Sequence, residues 1–392
     1  MGIFSKSENK NDKPILVFDI GSSSVGGAIL KMKKNQTPRV IFSTREPIIL
    51  EKEMQADRFL LLTTRALEIV AGRICKTKIG QVENIFCVLS SPWYASQTRI
   101  IKFEKNIPFL FTSKLADSLT KKEIGFFEEE NNKKLSNTKD KICLIEFKNM
   151  KVMLNGYQVS NPFNKKIKKL EMIVSMSMSS HQVLEKMKES LLRHFHSEDI
   201  KFSSFGMASF TAVRDIFSEE ENFFLIDIAG EMTDISVIKE DVLAESISFP
   251  LGRNFMIRKI ANKLNCDLNE AKSFISLYKD EHAEKNIEKK LEPIMQKLKT
   301  EWLEEFQKSL LSLSKNSSLP STIFIMADED LMEFFSKIIK VEQFNQYLLT
   351  ESKFKIVFLN TQNLHGLVAF NSGVERDPFV ILETICLNRL IC

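Results

Sequence analysis

The chain has 392 residues, 43% of them hydrophobic, which is enough for the cores of two domains. Lys and Arg number 55 against 51 Asp and Glu, a net charge of +4; the basic residues are scattered, so no nucleic-acid partner is expected. The six cysteines, Cys75, Cys87, Cys143, Cys266, Cys386 and Cys392, form no CxxC pair and read as free thiols of a reducing cytoplasm.

Residues 1–13, MGIFSKSENKNDK, read as a polar tail with no apolar core for a signal peptide. No run of about 20 apolar residues follows anywhere, so no membrane span is expected. Ile15-Leu16-Val17-Phe18 predicts a strand buried on both faces. It ends in Asp19, turns through Gly21-Ser22-Ser23-Ser24 and returns as Ala28-Ile29-Leu30, a β-hairpin with an acid at its mouth. A strand is expected at 98–105, a helix at 113–130 and strands near 142–154 and 170–178. In 106–111, Ile107, Phe109, Leu110 and Phe111 are either an exposed interface patch or local core. The run Lys165-Lys166-Ile167-Lys168-Lys169 reads as a solvated loop, with contact to anionic lipid or acidic tails as the alternative. A helix with Val183, Leu184, Met187 and Leu191 on one face follows. His181, His194 and His196 lack a further ligand and are not read as a metal site.

At 223–238 the opening pattern returns. Phe223-Phe224-Leu225-Ile226 leads to Asp227, then the turn Ala229-Gly230-Glu231-Met232-Thr233, then Ile235-Ser236-Val237-Ile238. Successive amides in a tight turn make a concave anion site, and Ser and Thr hydroxyls add donors. Asp19 and Asp227 can hold Mg²⁺ through water, and the metal bridges to phosphates. Two such hairpins facing each other would clamp a triphosphate between two domains.

Beyond the second hairpin the pattern is helical. Phe255, Met256, Ile260, Ala261 and Leu264 make one stripe, and Asp267 with Glu270 forms a capping box for the next helix. A long helix is expected over 284–313, kinked or restarted at Pro293. Strand pattern returns at 322–330, TIFIMADED. The last stretch, 377–392, reads as a core helix without the basic stripe of an interfacial one.

The paired hairpins resemble the two phosphate motifs of the actin-like ATPase superfamily. NGYQVSNPFNKKIKKLE, within 143–178, is similar to the insertion subdomain shared by FtsA and PilM. DIGSSSV and the tail beginning MGIFS lean toward PilM, while Thr233-Asp234 and Asn161-Pro162 lean toward FtsA, which is favoured. The resemblance implies an α/β, actin-like (ribonuclease H-like) two-domain fold with a strand-helix-strand-strand insertion subdomain. The implied division is a tail at 1–13, a first core domain at 14–91 and 179–220, an insertion at 92–178, a second core domain at 221–252 and 320–392, and a helical upper subdomain at 253–319. It implies ATP held by Asp19, Gly21, Ser22, Ser23, Ser24, Asp227, Gly230, Glu231, Thr233, Ala327 and Asp328, with Mg²⁺ at Asp19, Asp227 and Asp234.

For function the resemblance implies a cytoplasmic, self-associating scaffold in cell division that binds an FtsZ-like tubulin homologue. The PilM alternative is a pilus-assembly adaptor that binds an inner-membrane protein tail, and membrane association is then indirect. A phosphotransferase acting on a small substrate is a third reading, which no acid/base pair supports. Three departures point to at most a slow or degenerate ATPase. Ala327-Asp328-Glu329-Asp330 replaces the family's glycine-rich adenosine turn, Glu231 stands where a Gly is usual, and Ser203-Ser204 stands where Glu-Pro is.

Overall fold

The computed structural model describes residues 14–391 except 79, 81, 83, 135–140, 198, 280–284, 316–317, 328 and 342–353. Three sheets carry the architecture. The first has the order β15 (Ala369–Phe370), β3 (Arg39–Pro47), β2 (Ser24–Lys31), β1 (Ile15–Ile20), β4 (Asn84–Leu89), β9 (Ile200–Ser204). The second has the order β12 (Val242–Phe249), β11 (Thr233–Lys239), β10 (Phe223–Ile228), β13 (Thr322–Ala327), β14 (Lys355–Phe358). In each, the repeated hairpin is antiparallel (β1 with β2, β10 with β11), while the next strand is parallel (β4, β13).

The unbroken apolar runs of β1 and β10 are explained by burial on both faces. Leu16, Phe18 and Ile20 pack on α1 (Ala56–Cys75) and α3 (His181–Leu192). Ile15 and Val17 face the other way and share a core with Phe223 and Leu225 of β10. That shared core is completed by α4 (Phe205–Ile216) and α9 (Pro378–Ile391), which pack together between the two halves. The opposite face of the second sheet, Phe224, Ile226 and Ile228, is covered from the helical side. The helices there are α5 (Arg253–Leu264), α6 (Leu268–Lys279), α7 (Lys285–Leu313) and α8 (Glu329–Val341). The capping box forms as expected: Asp267 Oδ1 accepts from Glu270 N at 2.8 Å and Glu270 Oε2 from Asp267 N at 3.1 Å. Pro293 does not restart the long helix; α7 runs through it.

The third sheet, β5 (Ala95–Phe111), β8 (Lys165–Ser180), β6 (Ile142–Leu154) and β7 (Tyr157–Gln158), carries α2 (Ser113–Lys134) on one face. Its strands are longer than the alternation alone suggests. Asn155 (φ 51°) and Gly156 (φ 88°) make the two-residue turn from β6 to β7. Asn155 Oδ1 also accepts from the amides of Lys168 and Lys169 at 2.9 and 3.0 Å. The lysine run is therefore β-strand, not loop: Ile167 and Leu170 are buried, so the backbone pairs while the ammonium groups stay in water. The stretch 106–111 divides: Phe111 is core, Phe109 packs partly against it, and Ile107 and Leu110 are exposed. No described helix is long and apolar enough to cross a membrane.

Candidate functional site

The two hairpin turns meet face to face. Ser22 Oγ accepts from Glu231 N at 3.0 Å. Gly230 has no room for a side chain, since a Cβ there would lie 2.7 Å from Ser23 N and 2.8 Å from the Ser22 carbonyl carbon. Each turn is closed internally, by Gly21 N donating to Ser24 O at 3.1 Å and Ala229 N to Met232 O at 3.0 Å. The N-terminus of α5 docks on the second turn, with Arg253 N on Ala229 O and Asn254 N on Gly230 O at 3.0 and 2.7 Å. Several hydroxyls expected to face phosphate are already engaged. Ser24 Oγ accepts from Arg45 Nη1 at 2.9 Å. Thr233 Oγ1 donates to Leu251 O at 2.8 Å and accepts from Trp302 Nε1 at 3.2 Å. Ser23 offers its carbonyl to Ile48 N at 2.9 Å.

Asp19 is buried against Arg45, not open to a cleft. Arg45 Nη2 lies 2.6 Å from Asp19 Oδ2 and 2.7 Å from Asp377 Oδ2. The register explains how Arg45 arrives: Asp19 pairs with Gly26, and Gly26 pairs with Arg45. A Cβ at Gly26 would stand 2.6 Å from Arg45 Nη2, so the guanidinium crosses the space that glycine leaves. Its outer face lies 5.0 Å from the Phe379 ring centroid.

Glu383 on α9 is wholly buried beside Asp19, and both its oxygens and Asp19 Oδ1 lack a donor among the described residues. Burial, then the Asp19 charge, push the Glu383 carboxyl well above the usual range. A proton on Glu383 would be donated to Asp19. Burial also raises Asp19, against the pull of Arg45. A carboxyl raised in the fold binds more protons folded than unfolded, so stability falls as pH rises from the ordinary carboxylate value. Glu383→Gln is therefore expected to flatten this fall. Chemical denaturation at about pH 5 and about pH 8 tests it; equal pH slopes for both proteins would count against the shared proton.

Glu231 is the second buried charge. Arg258 Nη1 and Nη2 donate to its two oxygens, each at 2.7 Å, and Asn254 Nδ2 to Oε1 at 2.8 Å. Arg258 Nε also holds Glu51 O at 2.8 Å, and Leu50 packs on the core of the second half. The chain itself thus bridges the two halves in front of the turns.

Asp227 and Asp234 are cross-strand neighbours lining a cavity of about 20 Å³ with Tyr94, Gly206 and Ser209. That is room for about one water. Burial raises Asp234, opposed by hydrogen bonds with Ser248 and Ser91. Tyr94 Oη accepts from Gly206 N at 3.2 Å, and burial and Asp234 push the phenol well up.

Sequence reading missed Glu146. It comes from β6, and it accepts from Ser204 N at 3.2 Å and Ser204 Oγ at 2.9 Å at the start of α4. A carboxylate thus reaches Ser204 from the insertion, 58 residues away in sequence, where no local motif marks it. Two other missed residues left local signals. Asp377-Pro378 is a helix-start pair, and Glu383 is an acid within an apolar helix.

Ala327 ends β13 opposite Ile228 and borders a cavity of about 550 Å³. Ser43, Arg45, Asn360, Gln362 and Phe379 also line it, at the carboxyl ends of β13 and β14. A nucleoside-sized molecule fits such a volume. Asp328 lies outside the described residues. The residues do not fit a Mg²⁺–triphosphate in this conformation. Asp19 is neutralised by Arg45, the turns touch, and no three described His, Cys, Asp or Glu are grouped to hold a metal.

No protein-family model and no curated protein matches the sequence. Solved structures do match. A "PilM-PilN type IV pilus biogenesis complex" is 15% identical, with 95% of this chain and 96% of that one covered at a TM-score of 0.60. A "MamK double helical filament" is 9% identical over 97% and 98% of the two chains, at 0.48. A protein of actin-like ATPase fold and unknown function from Bacteroides thetaiotaomicron is 10% identical over 98% and 99%, at 0.41. With its two hairpin-opened halves and a strand-helix-strand-strand insertion, the chain has the actin-like fold.

Proposed function

We propose that the chain is an actin-fold adaptor of the PilM kind, which binds the short tail of a membrane protein and works with its clamp held by its own arginines. The supporting observation is Arg45, which occupies the mouth of the first hairpin between Asp19 and Asp377, where a metal-dependent clamp needs a free carboxylate. The whole-length likeness to a PilM–PilN complex supports the adaptor half of the reading. The division-scaffold reading, with an FtsZ-like partner, rested on Thr233-Asp234 and Asn161-Pro162; of these, the Thr233 hydroxyl is occupied by Leu251 and Trp302 and so reads as structural.

Two experiments test the halves separately. Calorimetry with ATP and ADP is expected to show no Mg²⁺-dependent binding. Micromolar, Mg²⁺-dependent binding that Asp227→Ala abolishes would restore the nucleotide-regulated scaffold. Co-purification is expected with the cytoplasmic tail of a membrane protein encoded beside this gene. Capture of a tubulin-like protein instead, with filaments in sedimentation, would overturn the adaptor.

A further inference from the structure

The exposed end of the insertion subdomain combines protruding apolar side chains with unbalanced positive charge. The β5–β8 register steps from Glu104 opposite Lys169 to Phe109 opposite Ile167. β5 therefore spends five residues where β8 spends two, and 105–108 is pushed out as a bulge. Ile107 on that bulge is 78% exposed, with Leu110 at 47% and Phe163 at 48%. The bulge rests on a firm base. Phe103 and Phe109 pack edge to face at 5.0 Å, and Lys105 Nζ lies 5.3 Å from the Phe103 ring. Phe163 stacks on the buried Phe111 at 5.4 Å, and Asn164 N donates to Phe111 O at 2.7 Å. Around these groups, segments 102–111 and 163–169 carry six lysines (102, 105, 165, 166, 168, 169) against one acid, Glu104. Lys169 is paired with Glu171 at 2.9 Å, while Lys165, Lys166 and Lys168 lie along an exposed strand segment.

We propose that this end of the insertion subdomain docks directly on an anionic lipid bilayer, with Ile107, Leu110 and Phe163 entering the headgroup layer and the lysines meeting lipid phosphates. Charge complementarity selects the occupant. Lysines around a shallow apolar tip suit a negatively charged interface, to which each adds attraction that salt screens. Ile107 stands out on a bulge and does not line a groove, which a deformable bilayer accepts and a protein partner would have to enclose. The sequence reading routes membrane attachment through a partner; this surface adds a contact of the chain's own, independent of nucleotide and of any protein tail.

The test is co-sedimentation of the full chain with vesicles of phosphatidylcholine alone and of phosphatidylcholine mixed with phosphatidylglycerol. Binding to the anionic vesicles only, weakened by salt, is expected. Removing one lysine lowers affinity about fivefold, so Lys165→Gln with Lys166→Gln lowers it roughly 25-fold. Ile107→Ser lowers it about tenfold. These positions are exposed, so the variants keep the wild-type circular dichroism. Equal binding to neutral vesicles, no binding to either, or variants that bind as wild type would overturn the proposal. Retention on polyglutamate without vesicle binding would also overturn it, in favour of an acidic protein.

Discussion

Arg45→Leu is expected to lower the unfolding free energy by about 3–5 kcal/mol, the cost of removing one partner from a buried ionic cluster. The leucine side chain keeps most of the aliphatic bulk, so the loss is electrostatic. Asp19 is 2% exposed and Asp377 13%, and Glu383, buried beside Asp19, has no donor among the described residues. Without the guanidinium, three carboxyls share one buried site. The Asp19 and Glu383 carboxyls, already raised, then rise further above their unfolded values, so the variant's stability is greatest at low pH and drains away as pH rises. The deficit against wild type should accordingly shrink from about pH 7 to about pH 5. Urea denaturation at both pH values measures it. A loss below about 1 kcal/mol at neutral pH would mean that the cluster is screened like a surface pair.

Gly230→Ala should cost about 3 kcal/mol and separate the two hairpins. Its Cβ would meet Ser23 N at 2.7 Å and Ser22 C and O at 2.8 Å, all backbone atoms of the other half. A clash with a flexible side chain relaxes by rotation; this one relaxes only if a turn moves. Movement also breaks the bond from Glu231 N to Ser22 Oγ, which contributes about 1 kcal/mol. Gly125→Ala in α2 is the control, because nothing lies within 4 Å of its Cβ. There alanine is expected to be neutral or stabilising by up to about 1 kcal/mol. Faster amide exchange in both turns of the Gly230 variant would accompany the loss. Unchanged exchange with unchanged stability would mean that the turns do not hold the halves together.

The actin-like architecture was legible because its signals are local and repeated. Two apolar runs end in Asp, at 19 and 227, and each is followed by a small-residue turn; strand burial on both faces needs only such runs. The capping box at Asp267 and the insertion order were also within reach, since a cap or an amphipathic helix is written within a few residues. The lysine run at 165–169 misled because charge says where an ammonium group ends, while the buried Ile167 and Leu170 decide where the backbone goes.

What the sequence determined by itself was the inventory: two hairpins, three acids at their mouths, and an insertion of strands and a helix. What only the tertiary structure decided was the partner of each charge. Arg45 reaches Asp19 across two strand pairings and Gly26, Arg258 reaches Glu231 from the next helix, and Glu146 reaches Ser204 from another sheet. A hydrogen bond or ion pair depends on distances of about 3 Å between atoms that packing brings together. Such contacts leave no period or spacing in the chain, so a motif built to hold phosphate and one held by its own arginines read alike until folded.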